Sequence, residues 1–331
     1  MTAEPTPGTP PVWTRVWPRR GGRPEAGLAL EGRDAAGRVV AGTAASVGGP
    51  VRLRAQDPRL GDVHALPGRL LAHRFGKRAV LRRGDTFVKL ASPAATRTAL
   101  HRHAVLDAAL VPVRGRTSDA PDLVDVAASA PGRLELRAAD GVEMTDVLRT
   151  GEVGACQEAG RRTGAAVTAL AASGADDLPV HDTAAEAAVL DRWVADALAF
   201  GVAAPGLRAA ADAATAALRR LPPAAPVPAH RDLHDGQVLL GRRVTLLDVD
   251  TAALADPALD VANLLAHLDL AAARGHRAAA AAVERGVLAA WDGARADRVA
   301  VLRRVARCRI AAVHAFRGMP DDVAAALLGS G

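Results

Sequence analysis

The segment His230-Arg231-Asp232-Leu233-His234-Asp235-Gly236-Gln237 is followed, eleven residues after Gln237, by Asp248, and then by Asp250, Asp256 and Asp260. Two short apolar runs, Gln237–Leu240 and Val244–Leu247, flank Gly241-Arg242-Arg243 and read as a hairpin. Such a hairpin sets Gln237 and Asp248 close together, beside the loop that carries Asp232. An amide oxygen and a carboxylate on neighbouring strands form a hard-oxygen pair suited to Mg²⁺ holding substrate phosphates. A free carboxylate nearby, Asp232, can accept the proton of an attacking hydroxyl. The plainer reading of Asp232 is a surface loop acid. Asp248 is harder to dismiss, because a lone Asp ending an apolar strand is costly unless paired or metal-bound. Gln237 could equally be a junction residue with ordinary hydrogen bonds.

A second candidate comes from composition. The 331 residues hold 42 Lys+Arg against 36 Asp+Glu, a net charge of +6, yet only two of the cations are lysines, Lys77 and Lys89. Arginine and alanine are abundant, Asn263 is the one asparagine, and there is no tyrosine. Arginine is therefore an uninformative residue in this chain and lysine an informative one. Lys89 lies in the strand-like run Phe87-Val88-Lys89-Leu90; its alternative role is an edge-strand lysine that blocks aggregation. The basic balance alone is weak support for nucleic-acid binding. Aromatics make up 2% and are scattered, so no stacking platform accompanies the arginines.

The elements that must position these residues fall into three stretches. Residues 1–68 begin with a Pro/Thr-rich lead, 1–12, expected to be disordered. A small β-rich cap follows, with a hairpin around Asp34-Ala35-Ala36-Gly37 and a further strand at Val51–Arg54. Residues 69–140 read as β-β-β-α-β-β: strands at Arg69–Phe75, Ala79–Arg82 and Thr86–Leu90, a helix over Ala94–Leu110 stopped by Pro112, then strands at Leu123–Val126 and Leu134–Arg137. Residues 141–331 are mainly helical, with a hinge near 137–141. The histidines at 101 and 103 read as a solvated helix face, and Trp193 and Trp291 as core. Two cysteines, Cys156 and Cys308, are too few for a disulfide scaffold or a zinc site. The start at Met1 lacks a basic stretch leading into an apolar run, and no run of about 18 apolar residues occurs. The expectation is a cytoplasmic protein without membrane or nucleic-acid partners.

The string H-R-D-L-H-D-G-Q-V-L-L, followed by L-L-D-V-D and A-D-P-A-L-D-V-A, resembles the aminoglycoside phosphotransferase and choline kinase-like family, relatives of the protein kinases. The resemblance runs from about Arg69 to the C-terminus. It implies an α+β, bilobal protein-kinase-like fold, with the β-rich cap as an addition that maltokinase-like members also carry. It implies ATP and Mg²⁺ as cofactors and transfer of the γ-phosphoryl group to a hydroxyl of a small molecule. In the family, the residue matching Asp232 is the base or hydroxyl orienter, and the one matching Asp248 binds magnesium. The residue matching Gln237 is usually an Asn on a second metal, though maltokinase-like members use Gln. Lys89 matches the phosphate-binding lysine. His230 packs the loop, and Asp260 ties it to the next helix. The adenine would meet backbone groups near Arg137–Ala139.

Two departures stand out. The family places a Glu opposite the lysine near positions 101–103, where this chain has His101, Arg102 and His103. Either Asp107, the one acid on that helix, reaches Lys89, or the lysine is held differently. No Gly-rich phosphate loop is present; Phe75-Gly76-Lys77-Arg78 occupies that turn. These departures keep open an alternative, a nucleotide-binding protein with weak or no transferase activity. The acceptor itself is not legible, but residues 261–331 are arginine-rich. That is a poor wall for a polycation, so a sugar or related metabolite is favoured over an aminoglycoside.

Overall fold

The computed structural model describes residues 10–19, 27–293 and 296–329. Most of the expected disordered lead, residues 1–9, lies outside them; Val12 already begins the first strand. That strand, β1 (Val12–Pro18), pairs antiparallel with β2 (Leu28–Arg33), which pairs with β3 (Val39–Ala44) and then β4 (Arg52–Leu53). The β2–β3 turn forms as read. Asp34 Oδ1 accepts from the N–H groups of Ala36 and Arg38 at 3.0 and 2.9 Å, and Gly37 takes φ 74°.

The second sheet holds β5 (Arg69–Arg74), β6 (Arg78–Arg83) and β7 (Thr86–Leu90). After β7 comes helix α1 (Pro93–Arg114), then β8 (Asp122–Leu123), β9 (Val126–Ala130) and β10 (Arg133–Arg137). The strand order is β5-β6-β7-β10-β9. Ser92 caps α1 by accepting from the Ala95 N–H at 3.2 Å, with Pro93 at the first helical position. Two expectations need correction here. Pro112 does not stop α1, because the last turn closes through the N–H groups of Gly115 and Thr117 onto Val111 and Val113 and needs none at 112. The strand expected at Leu123–Val126 is divided: β8 leaves this sheet to pair in parallel with the strand at 244–246, and β9 starts at Val126.

The remainder is helical. It comprises β11 (Val142–Glu143), α2 (Met144–Thr150), α3 (Val153–Ala171), β12 (Val180–His181), α4 (Thr183–Ala199), α5 (Leu207–Arg220) and β13 (Val227–Ala229). Then come the hairpin β14 (Val238–Leu240) and β15 (Val244–Leu246), β16 (Ala253–Ala255), and helices α6 (Leu259–Ala271), α7 (Arg277–Ala290), α8 (Ala296–Ala315) and α9 (Asp321–Gly329). Helix α6 is the centre of the core, with Leu259, Val261, Leu264, Leu265 and Leu268 all buried. Helices α3 and α7 pack backbone to backbone: a Cβ at Gly160 would lie 2.1 Å from the Val283 carbonyl oxygen, and one at Gly286 2.1 Å from that of Gln157. Cys156 and Cys308 are buried thiols. Among the described residues no helix is long and apolar enough to cross a membrane. The fold is thus α+β and bilobal, a β-rich N-terminal part over a helical C-terminal part.

The cap is fixed to the second sheet by buried polar contacts. Glu31 on β2 accepts from the His73 N–H at 2.6 Å. Asp57 accepts from the Gly76 N–H at 2.6 Å and lies 3.1 Å from His73 Nε2. Burial pushes the Asp57 carboxyl up, but the N–H groups of Gly76 and Arg59 and the ring of His73 outweigh it and hold the carboxyl below its usual range. These bonds set the 75–77 turn, which delivers Arg78 to the site.

Candidate active site

The hairpin does what its sequence implies. In the ladder Val238 faces Leu246, and the Leu247 N–H donates to the Gln237 carbonyl at 2.9 Å, so Asp248 emerges next to Gln237. Gln237 ends a short 3₁₀ turn, Asp235–Gln237. Asp248 takes a left-handed backbone, φ 58°, ψ 47°, which turns its side chain out of the strand. Asp232, Gln237 and Asp248 line one cavity of about 940 Å³.

The Asp232 loop is held from beneath. Buried Asp260 accepts from the N–H groups of His230 and Arg231, both at 2.7 Å. Burial pushes the Asp260 carboxyl up against the pull of His230 and those two N–H groups. The His230 ring is fully buried and its Nε2 lies 2.6 Å from the Leu247 carbonyl, tying the loop to the hairpin. Arg231 adopts φ 70°, and its carbonyl accepts from Asn263 Nδ2 at 2.8 Å. Arg309 on α8 donates to Asn263 Oδ1 at 2.8 Å and lies 3.9 Å from the Asp232 carboxylate. The Asp232 carboxylate is half exposed and opens on the cavity.

Lys89 settles the question of its partner. Its Nζ lies 2.6 Å from Asp248 Oδ1 and 3.3 Å from both oxygens of Asp250. Asp107 does not reach it; that carboxylate pairs with Arg114 at 2.8 Å. The helix position expected to carry an acid carries Arg102 instead, whose guanidinium donates to the Asp250 carbonyl oxygen. The lysine thus draws both carboxylates from the C-lobe, and α1 holds the same segment by its backbone. Arg243 fixes the other end of α1 by donating to the Arg114 and Thr117 carbonyls. Burial pushes the Asp248 carboxyl up, but Lys89 and then Arg78, 3.6 Å away, reverse this and hold it well below the usual carboxylate range. Burial and the neighbouring Asp248 push Asp250 the other way, above its usual value.

At the hinge, the N–H groups of Arg137 and Ala138 donate to the main-chain carbonyls of Asp125 and Asp85. Both are therefore committed within the N-lobe. Ala139 and Leu247 both pack against the buried cluster of Val124, Leu134 and Leu136, an apolar patch that adjoins Asp248 in the chain through Leu247.

Other residues of the cavity carried weaker signals. His234 stacks on His267 at 4.8 Å between ring centroids, and Asp235 accepts from Thr145 Oγ1 at 3.0 Å. Burial, and then His234, push His267 well below its usual range. Trp193, read as core, lines the cavity with Trp17 and Arg15 of the cap. His103, read as solvated, lies 2.7 Å from the Val124 carbonyl. Nothing in the sequence marks Arg78, Arg102 or Arg309, because arginine is common everywhere in it.

Comparison with known proteins agrees with this geometry. The model of the APH phosphotransferase enzyme family matches residues 68–297. None of the curated proteins matches. Among solved structures, the GDP complex of wild-type aminoglycoside 2'-phosphotransferase-IIIa is 17% identical over 78% of this chain and 89% of that one, with a TM-score of 0.52. A GDP complex of a point variant of that enzyme is 16% identical over 78% and 88%, with a TM-score of 0.53. A glucosamine kinase in complex with glucosamine, ADP and inorganic phosphate is 19% identical over 98% and 94%, at 0.48. The two aminoglycoside enzymes share this chain's protein-kinase-like fold. With the family match spanning more than two thirds of its length, the chain belongs to the phosphotransferase enzyme family and is a small-molecule kinase.

Proposed function

We propose that the protein transfers the γ-phosphoryl group of ATP to a hydroxyl of a small molecule, in a Mg²⁺-dependent reaction. The observation that carries this is the junction of Lys89 with Asp248 and Asp250 across the lobes, with Asp232 facing the same cavity. The adenine would lie at the apolar patch of Ala139 and Leu247, near Arg137, and the phosphates would reach Lys89 and Arg78.

The chain's own groups supply positioning and electrostatics. Asp232 accepts a hydrogen bond from the acceptor hydroxyl and takes its proton as the oxygen attacks the γ-phosphorus. The bond from that phosphorus to the β,γ-bridging oxygen breaks, and ADP leaves with the electron pair. Arg309 and the Asp260-anchored loop keep the Asp232 carboxylate at its place. Asp248 and Gln237 offer a carboxylate and an amide oxygen to one cavity, a donor set that fits Mg²⁺ and holds no soft ligand. When bound, the metal neutralises phosphate charge.

An acceptor without many positive charges fits the cavity better than a polycationic aminoglycoside. Lys77, Arg78, Arg149, Arg231, Arg274 and Arg309 are among its lining residues. Residues 1–68 act as the cap and 69–140 as the nucleotide lobe in this reading, and 141–331 hold the acceptor. ATP supply places the enzyme in the cytoplasm. ADP release from purified protein with ATP, Mg²⁺ and a panel of hydroxyl compounds tests the proposal. Magnesium-dependent ATP binding in calorimetry, abolished by EDTA, is the expected companion result. Equal ATP affinity with and without EDTA would overturn the metal assignment, and ATP binding with no turnover of any acceptor would favour a catalytically inactive protein.

A further inference from the structure

Arg15, Arg274 and Arg317, which the proposed chemistry does not use, also line the cavity, with His314 and Trp193. These arginines come from separate parts of the chain: β1 of the cap, the 272–276 turn that links α6 to α7, and the residue two beyond the end of α8. Their surroundings differ from those of the carboxylate-paired arginines of α8. Arg303 and Arg307 bind Asp269 at 2.5 and 2.6 Å, and Arg298 binds Asp256 at 2.7 Å. Arg274 instead donates to the neutral ring of His314, at 3.2 Å. Burial, then Arg317 and Arg274, push that ring down to about 3. Neither Arg274 nor Arg317 has a carboxylate at ion-pair distance among the described residues, and the buried Nε of Arg317 has no hydrogen-bond partner. Arg15 has one carboxylate, Glu31, at 3.4 Å. Burial, then Arg15 and Arg274, push Arg317 down to about 10, a large displacement for a guanidinium.

Like charges gathered in a partly desolvated wall repel one another, and an anion placed among them removes that repulsion. A neutral ligand would leave it in place. The wall also has a fixed relation to Asp232. Arg309 and Val313 lie on α8 and Arg317 two residues beyond its end, and all three line the cavity that Asp232 faces. Resting on the phosphotransferase reading of Asp232, we infer that the acceptor carries an anionic group, a carboxylate or a phosphate, which Arg317 and Arg274 bind with help from Arg15 of the cap. The cap is then part of the acceptor site as well as a support for the 75–77 turn.

The test uses the full-length protein with ADP and Mg²⁺ present, so that the nucleotide site is filled. Glucuronate, glucose 6-phosphate, inorganic phosphate and glucose are titrated against the fluorescence of Trp17 and Trp193, which line the cavity. The same sugars, with kanamycin, are assayed for ADP release from ATP. Arg274→Gln, at an exposed position, and Arg317→Gln are measured in parallel. The expected result is at least tenfold tighter binding of an anionic sugar than of glucose. That preference falls at least tenfold in both variants, while the Michaelis constant for ATP changes less than twofold. The more effective of glucuronate and glucose 6-phosphate identifies carboxylate or phosphate as the group bound. Glucose or kanamycin binding as well as the anionic sugars, or anion binding unchanged in both variants, would overturn the inference. Arginine-dependent anion binding without ADP release from any acceptor would support the anion site and count against the transferase. ADP release with glucose and no anion binding would do the reverse.

Discussion

Two groups of cations around one cavity are held in opposite ways, one paired with Asp248 on its wall and the other lining it directly. Lys89 sits between Asp248 at 2.6 Å and Asp250 at 3.3 Å, with Arg78 beside the same carboxylate. Arg274 donates to a neutral histidine, and Arg317 feels Arg15 and Arg274 more strongly than it feels Glu31. In the first group positive and negative charges nearly cancel. That suits a ligand which brings its own mixture of charges, a polyphosphate with a divalent metal. In the second the positive charge is only partly offset, by Glu31 at 3.4 Å from Arg15, which suits a single anion. The same residue types therefore do different work, and the local balance of charge decides which.

The sharpest way to separate the two groups is to disable the chemistry itself. Asp232→Asn should lower kcat by about 100-fold or more, the usual worth of a positioned proton acceptor. ATP affinity by calorimetry should stay within twofold, because Asp232 faces the acceptor. Full turnover in this variant would refute the catalytic-loop assignment.

Lys89→Ala attacks the balanced group. It should lower kcat/KM for ATP by about 10- to 100-fold, and it leaves two carboxylates facing each other without their shared cation. Asp248 is held below its usual range in the folded protein, so its contribution to stability is present above the ordinary carboxylate pKa of about 3.9 and is lost as the pH falls below it. Asp250, pushed up, returns part of that gain near neutral pH. The net loss in the variant should be about 1–3 kcal/mol, less than for fully buried pairs. The gap in Tm between wild type and variant should therefore be widest near pH 7 and narrow as the pH falls below about 4. A gap that widens on acidification would contradict the pairing.

A third variant compares the cavity with its scaffold. None of the cavity's lining residues comes from α3 or α7. Gly160→Ala pushes a methyl group to 2.1 Å from the Val283 carbonyl oxygen, and both helices must shift. The expected cost is about 1–3 kcal/mol in chemical unfolding, the range for overpacking. Turnover per folded molecule should not change; a proportionate loss of kcat would show that the scaffold reaches the site.

The same comparison explains how much of the molecule could be read in advance. The hairpin was legible because ladder pairing is local: once Val238 faces Leu246, Gln237 and Asp248 must be neighbours. Lys89 was legible because lysine is rare in this chain. The anchoring of the loop by Asp260 followed from a family pattern, and the buried bonds to His230 and Arg231 give its physical reason. The second group was not legible. Arg15, Arg274 and Arg317 lie far apart in sequence, and nothing separates them from arginines that pair with acids, such as Arg303. Only their placement together on one cavity distinguishes them. Strand β8 was misjudged for a similar reason, since two residues cannot declare which sheet they join.

The smallest effect is the most discriminating for the lysine. If an acid on α1 held Lys89, it would have to be Asp107, yet that carboxylate pairs with Arg114 and is about half exposed. Exposed pairs of this kind contribute roughly 0–1 kcal/mol. Asp107→Asn should therefore shift Tm by no more than a degree or two and leave kcat and the Michaelis constant for ATP within twofold. Asp250→Asn removes one of the two carboxylates that do reach Lys89, and with it the repulsion that Asp248 feels. It should alter ATP kinetics by several-fold while stability near pH 7 changes little, since the lost attraction and the lost repulsion oppose each other. Equal kinetic effects from the two substitutions would place the lysine's partner back on the helix. A large effect from Asp107→Asn with none from Asp250→Asn would mean that the ion pair between the lobes is not the one that works on the nucleotide.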